Sequence, residues 1–358
     1  MRTLSLRITL GLVAAVIVGL AQTPSGPYKV IKTAKTGGDG GFDYIYADEA
    51  GRRLYIPRSG PSPRISAFDL DTLAPVGEIA GVGGHGVAVS AKTGHGFSSS
   101  KPVAMFDTKT LALIRKIDVD GGPDGIMYDP FNDRVWVFSH SMPHATVINA
   151  ADGSIAGAIG DLGGAPEQAQ SDGKGKVYVD IEDKANIAVV DAKALTVTGH
   201  YDLAGKGGTP AGLGLDIKNN ILFVACRTPQ VMVMMNATSG NIITTLPIGR
   251  GSDGAGFNAR TMEAFSSQGD GTLTVIKENS PTDFAVEQNV ETPQGAKTMT
   301  IDGKTNHVLL MSAEYAAPPA PAAPPAAPPA DGRGGRGGRG GGRGQMVPDS
   351  FMLIEVGK

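Results

Sequence analysis

"GGPDGIMYDPFNDRVWVFSHSMPHATVINAADGSIAGAIG", residues 121–160, reads as four short strands joined by turns. "PDGIMYDP" ends in Asp and turn formers. "RVWVFS" follows, then "ATVINA" after a loop, and "AADG" turns the chain into "IAGAIGD". The runs are rich in β-branched and aromatic residues and bounded by turn residues, which is the mark of strands.

The same order returns along the chain. "GFDYIYAD", "GHGVAVSA", "PDGIMYDP", "PEQAQSDG", "PAGLGLDI", "DGAGFN" and "AKTMTIDG" align at Asp43, His85, Asp124, Glu167, Ala211, Asp253 and Lys297, with spacings of 42, 39, 43, 44, 42 and 44. Second strands follow as "RLYIPR", "HGFSSS", "KVYVDI", "ILFVAC", "MEAFSS" and "HVLLMS". Four strands in about 40–45 residues is the period of a propeller blade. The fold class expected is therefore all-β: a seven-bladed β-propeller of four-stranded antiparallel blades. A β-helix repeats at a much shorter period.

The last copy is incomplete. "TMTID" and "HVLLMS" are its first two strands and "SFMLIEV" has the pattern of a third. No fourth follows. At the other end "YKVIKTA", residues 28–34, is a lone alternating strand before the first copy. The N-terminal strand is predicted to complete the seventh blade and close the ring. "AAPPAPAAPPAAPPADGRGGRGGRGGGRG", residues 316–344, is then a disordered loop insertion within that blade, Pro/Ala-rich and then Arg-Gly-rich. The propeller is expected over 27–358.

The repeat resembles that of the YVTN-type β-propellers, which include YncE-like and surface-layer proteins. The likeness rests on Gly-x-Pro before the first strand, Asp after it, and "VINA" in the third. It recurs in "IAVVDAKAL" and "VAMFDTKTL" and covers residues 27–315 and 346–358. The tetrapeptide that names the family is absent; "YIPR", "WVFS", "YVDI" and "FVAC" stand in its place. The resemblance implies an exported binding or scaffold protein. Related propellers include lactonases, lyases and quinoprotein dehydrogenases, so one fold serves unrelated activities.

Composition agrees with a turn-rich chain: 51 Gly and 24 Pro in 358 residues. "MRTLSLRITLGLVAAVIVGLAQ" has Arg2 and Arg7 before an apolar run, Ile8 to Leu20, and small residues near Ala21. Residues 1–21 read as a secretory signal, placing the protein in the periplasm or outside the cell. The apolar run is short for a membrane span, so no transmembrane segment is expected in the mature form. Cys226 is alone, which excludes an internal disulfide. In "NILFVAC" it reads as a small buried hydrophobe. The net charge is −3. The signal and the insertion hold six Arg between them, so the remaining body is more acidic than the whole. That argues against phosphate neutralisation by the globular part.

First strands line the axial channel of a propeller. Asp43, His85, Asp124, Glu167, Asp253 and Lys297 are therefore expected around one mouth. Loops between second and third strands share that face and bring Arg58, Arg64, His140, His144 and Arg227. A concave polar mouth is a candidate ligand site. His85, Asp124 and Glu167 are the candidate metal ligands, and their oxygen-rich set favours calcium or magnesium over zinc. A water-filled channel also tolerates polar side chains, and repeat turns favour Asp. "HSMPH" spaces His140 and His144 as a zinc-binding helix would, but Pro143 and the repeat phase make it a loop. No Ser-His-Asp set, CxxC, haem-attachment motif or phosphate loop is present, and no catalytic residue is assigned. Trp136 and Tyr128 read as blade-packing residues. Arg333, Arg336, Arg339 and Arg343 make the insertion a candidate polyanion binder.

These readings describe an exported, monomeric binding or scaffold propeller that recognises a small ligand, polymer or protein at the channel mouth. A metal-assisted, lactonase-like hydrolase or lyase using a divalent cation is one alternative. A surface structural protein that engages polyanions is the other.

Overall fold

The computed structural model describes residues 26–316 and 346–358. All the regular elements among them are strands, arranged in seven four-stranded antiparallel sheets. Six sheets use consecutive strands. The seventh takes Met299–Asp302, His307–Ser312 and Met352–Gly357, and its outer strand is Lys29–Lys35 from the N-terminus. Blades are numbered here by their first strands: Tyr46–Asp48, Val87–Ser90, Pro123–Asp129, Pro166–Ser171, Pro210–Asp216, Ser252–Asn258 and Met299–Asp302. Each first strand touches the next, and the seventh touches the first, so the ring is closed. The proposed signal, residues 1–21, lies outside the described residues, as does nearly all of the 316–344 segment.

The recurrent Asp, Asn or Ser after each first strand has a physical cause. Its side chain accepts a hydrogen bond from an amide two or three residues on, fixing the turn into the second strand. Asp48 takes Gly51 N at 3.0 Å, Asp129 takes Phe131 N at 3.1 Å and Asp216 takes Lys218 N at 2.9 Å. Asn258 and Asp302 take Arg260 N and Lys304 N, and Ser90 and Ser171 do the same with their hydroxyls. The repeat visible in the sequence is in part a repeat of this turn.

Second and third strands are buried on both faces, because each sheet packs between two others. Fourth strands are mostly exposed or half-buried, and two of them, Thr196–Asp202 and Lys29–Lys35, alternate between the two states along their whole length. One apolar cluster fills each of the seven blade interfaces. Trp136 is fully buried in the cluster between blades 3 and 4. A blade buries its faces only against both neighbours, so the energetics require closure.

The closing strand pairs Lys35 with Met352, Thr33 with Ile354 and Lys29 with Gly357. Tyr28 continues past it into the core between blades 6 and 7, edge-on to Phe265. Its hydroxyl donates to Glu263 Oε2 at 2.5 Å, and Lys358 Nζ donates to Glu263 Oε1 at 2.7 Å. Gln288 clasps Tyr28 N and O at 2.9 and 2.7 Å. Both ends of the propeller are thus tied to blade 6.

Candidate functional site

The starts of the first strands converge on one face. The backbone there is held from behind by hydroxyls: Ser99 Oγ donates to Asp124 O at 2.5 Å, Ser267 Oγ to Lys297 O at 2.6 Å and Thr298 Oγ1 to Asp43 O at 2.5 Å. The serines in "HGFSSS" and "MEAFSS" therefore position the ring. That role was not read from the sequence, though their recurrence at the end of the second strand was a usable signal.

On this frame the side chains form a closed circuit of alternating acids and bases. Asp43 Oδ2 lies 2.9 Å from His85 Nδ1, which lies 3.2 Å from Asp124 Oδ1. Asp124 Oδ2 lies 3.2 Å from His140 Nε2, which lies 3.1 Å from Glu167 Oε2. Glu167 Oε1 is 3.5 Å from Arg227 Nη2, and Arg227 pairs directly with Asp253. Lys297 pairs directly with Asp253 and stands 3.6 Å from Asp43 Oδ1, where the circuit began.

Two members enter from loops rather than from first strands, and charge explains both. Blades 3 and 4 place Asp124 and Glu167 side by side; His140, from the blade 3 loop, inserts between them. Blade 5 offers only Ala211, which is buried. Arg227, from the blade 5 loop, spans that sector, with Nε donating to Ser252 O at 2.9 Å and Nη1 to Glu182 Oε1 at 2.5 Å. Glu182, Asp253 and Glu167 are all buried, and a buried carboxylate requires a partner of this kind.

The field of the ring shifts its own titrations. The hydrogen bond to Asp43 raises the His85 pKa, with the Asp124 charge adding. The hydrogen bond to Glu167 raises that of His140, again with Asp124 adding. Burial pushes Asp124 up to about 6, reinforced by the charges of Glu167 and Asp43 and opposed by the two imidazoles. Burial, then the neighbouring carboxylates, holds the Tyr44 phenol well above its ordinary range. Beneath Glu167, burial keeps Asp180 well above the carboxylate range, and Gln168 N donates to it.

Under the ring the channel opens into a cavity of about 380 Å³. Tyr44, Glu167 and Gln168 line it beside apolar Ile126, Met127 and Met299. Tyr128 lines it too, so its role is not only in blade packing as expected. Tyr44 follows Asp43 directly in "GFDYIYAD" and precedes the regular strand Tyr46–Asp48, so strand alternation gave no signal for it.

Other expected site residues go elsewhere. Arg58 is 1% exposed, its guanidinium centred 3.8 Å over the Phe351 ring and donating to Asp39 O and Gly40 O. Burial and the nearby Arg64 pull its pKa down to about 10. Arg64 binds Asp39 at 3.0 Å and stands 3.5 Å from Glu78. Both arginines brace the segment before blade 1, not the ring. His144 is buried, its Nδ1 accepting from Leu162 N at 3.0 Å on the connection to blade 4. The expected trio of His85, Asp124 and Glu167 is divided: Asp43, His85 and Asp124 converge in one group, and Asp124, His140 and Glu167 in another. Arg333, Arg336, Arg339 and Arg343 lie outside the described residues. Tyr315 bridges Met346, and the flanking strands His307–Ser312 and Met352–Gly357 put both ends of that segment on the ring face.

No protein-family model matches the chain, and no curated protein sequence does. Among solved structures the chain is similar to the WD40 repeats of RRP9, with a TM-score of 0.69 at 9% identity over 94% of this chain and 99% of that one. It is equally similar to U3-55K, with a TM-score of 0.69 at 9% identity over 93% and 99%. A chain of the mitotic checkpoint complex gives 0.67 at 9% identity over 87% and 95%. These likenesses show the seven-bladed propeller fold. No helix of the described residues is long and apolar enough to cross a membrane.

Proposed function

We propose that this is an exported propeller that binds a small ligand at the ring face, with the channel cavity as its pocket. The observation that carries the reading is the cavity of about 380 Å³ directly under the charged ring. That size falls within the range of small-molecule sites, which pair apolar walls with a few placed polar groups. The YVTN-type resemblance of the repeat and the signal-like N-terminus support export and a binding role. A thermal-shift panel of anionic, cationic and neutral metabolites on the full chain tests it. The expected result is a rise in Tm with one class, absent in Met127→Trp, which places an indole in the cavity. A panel in which no class moves Tm overturns the reading, as does a shift that Met127→Trp retains while folded by circular dichroism.

A second reading concerns the Arg-Gly segment. Its two ends leave and re-enter on the ring face, and it carries Arg333, Arg336, Arg339 and Arg343. We propose that it binds polyanions by charge. Salt-sensitive retention on a heparin column is expected to vanish when 331–344 is deleted. Retention that survives the deletion sinks this reading.

A further inference from the structure

Each imidazole of the ring meets two carboxylate oxygens at a single nitrogen. His85 Nδ1 faces Asp43 Oδ2 at 2.9 Å and Asp124 Oδ1 at 3.2 Å. His140 Nε2 faces Glu167 Oε2 at 3.1 Å and Asp124 Oδ2 at 3.2 Å. A ring nitrogen carries one hydrogen or one lone pair, so it makes one well-aligned hydrogen bond. At each nitrogen one contact has that geometry: Asp43 for His85, and Glu167 for His140. Asp124 is the supernumerary oxygen both times, with Oδ1 turned to one imidazole and Oδ2 to the other.

Two trios of donor atoms result, each with its atoms within 4.8 Å of one another. Ligand distances of about 2.0–2.2 Å place the donors of one ion inside that span. The charge balance is uneven in the same place. Lys297 and Arg227 both pair directly with Asp253, and their contacts with Asp43 and Glu167 are longer, at 3.6 and 3.5 Å. Three carboxylates, Asp43, Asp124 and Glu167, are left with two imidazoles between them. Cations bound at these points would offset that negative charge.

We infer that the ring holds two divalent transition-metal ions, one bound by Asp43, His85 and Asp124, the other by Asp124, His140 and Glu167, with the Asp124 carboxylate bridging them. This corrects the preference for calcium or magnesium expected from the sequence: with one imidazole nitrogen in each three-donor set, the mixed set suits zinc or manganese better. The side chains of His85 and His140 are 50% and 40% exposed, so open coordination positions face the channel mouth. A ligand bound there presents an oxyanion or carbonyl oxygen to the pair. That refinement of ligand class rests on the binding reading above.

The test uses the full chain stripped with EDTA, then equilibrated with Zn²⁺ or Mn²⁺ and freed of excess. Elemental analysis is expected to find two ions per chain in the wild type and one in each of His85→Ala and His140→Ala. Asp124→Asn retains fewer than one at the same free concentration. The Mn²⁺-loaded wild type gives an exchange-coupled electron paramagnetic resonance spectrum. Fewer than two ions in the saturated wild type overturns the inference, as do two ions in both histidine variants or a spectrum of isolated ions. The wild-type spectrum decides the matter even where a variant fails to fold. The metabolite panel, repeated on stripped protein, separates the two proposals. A ligand that binds without metal uptake sinks the metal pair and leaves the binding reading. Two coupled ions with no ligand response do the reverse.

Discussion

Arg227 Nη1 lies 2.5 Å from Glu182 Oε1, joining the blade 5 loop to a buried carboxylate of the blade 4 loop. The same guanidinium pairs with Asp253 and approaches Glu167. Removing one partner of a buried ion pair typically costs about 3–5 kcal/mol, because the other charge stays buried and unpaired. Arg227→Ala is expected to destabilise the fold on that scale, and Arg227→Lys by less. Urea denaturation at neutral pH checks both. A change within error for Arg227→Ala shows that the acids find other compensation.

Tyr28 tests the closure. Its hydroxyl bonds the buried Glu263, and hydrogen bonds to charged groups contribute about 1.5–3 kcal/mol. Tyr28→Phe keeps the contact with Phe265 and is expected to lose that much, read from the guanidinium midpoint. Deleting residues 26–35 removes the outer strand of blade 7 and is expected to abolish the cooperative transition.

Glu278 predicts a pH dependence. It is buried between blades 5 and 6, with Asn219 Nδ2 donating to Oε1 at 2.7 Å. Burial, with the Asp216 charge beside it, raises its pKa to about 7 from 4.5. The folded state therefore favours the neutral acid. Its contribution is fully present below about pH 4.5 and is lost as pH rises through about 7. Glu278→Gln is expected to raise stability at pH 8 by an amount on the order of 2 kcal/mol and to change little at pH 4.5. Thermal melts of both proteins at the two pH values measure the difference. Equal gains at both would remove titration as the cause.

Cys226 is fully buried, and burial followed by the Asp180 charge pushes its thiol up to about 12. A protonated, enclosed thiol does not attack a disulfide reagent. Labelling by such a reagent is expected only as the protein unfolds, tracking the urea transition. Rapid labelling of the native protein would contradict the burial.

Much of the architecture could be read along the chain because the repeat obeys local chemistry. Asp48, Asp129, Asp216 and Asp302 recur at the same phase because each fixes the same turn with its own side chain. The half-exposed alternation of Lys29–Lys35 is a property of an outer edge, so its kinship with fourth strands was visible before its partner Met352–Gly357 was known. The ring positions followed from strand phase: Asp43, His85, Asp124, Glu167, Asp253 and Lys297 do meet around one mouth.

The loop residues were a different problem. Arg58, His140, His144 and Arg227 all fall at or beside second-to-third-strand connections, Arg58 as the last residue of its strand Arg53–Arg58, and their spacing treats them alike. Tertiary structure separates them. Arg58 is drawn under Phe351, more than 290 positions away in the chain, and His144 is turned aside by the amide of Leu162. His140 and Arg227 enter the ring because adjacent acids, or a buried alanine at the blade 5 position, leave charge there uncompensated. Sequence alone determined the number of blades, how they close and which strand starts face the axis, since those depend on local turns and alternation. The pairing of Asp124 with two imidazoles was decided only by the folded ring, since it depends on blades 2, 3 and 4 being brought together and on the electrostatics of their meeting.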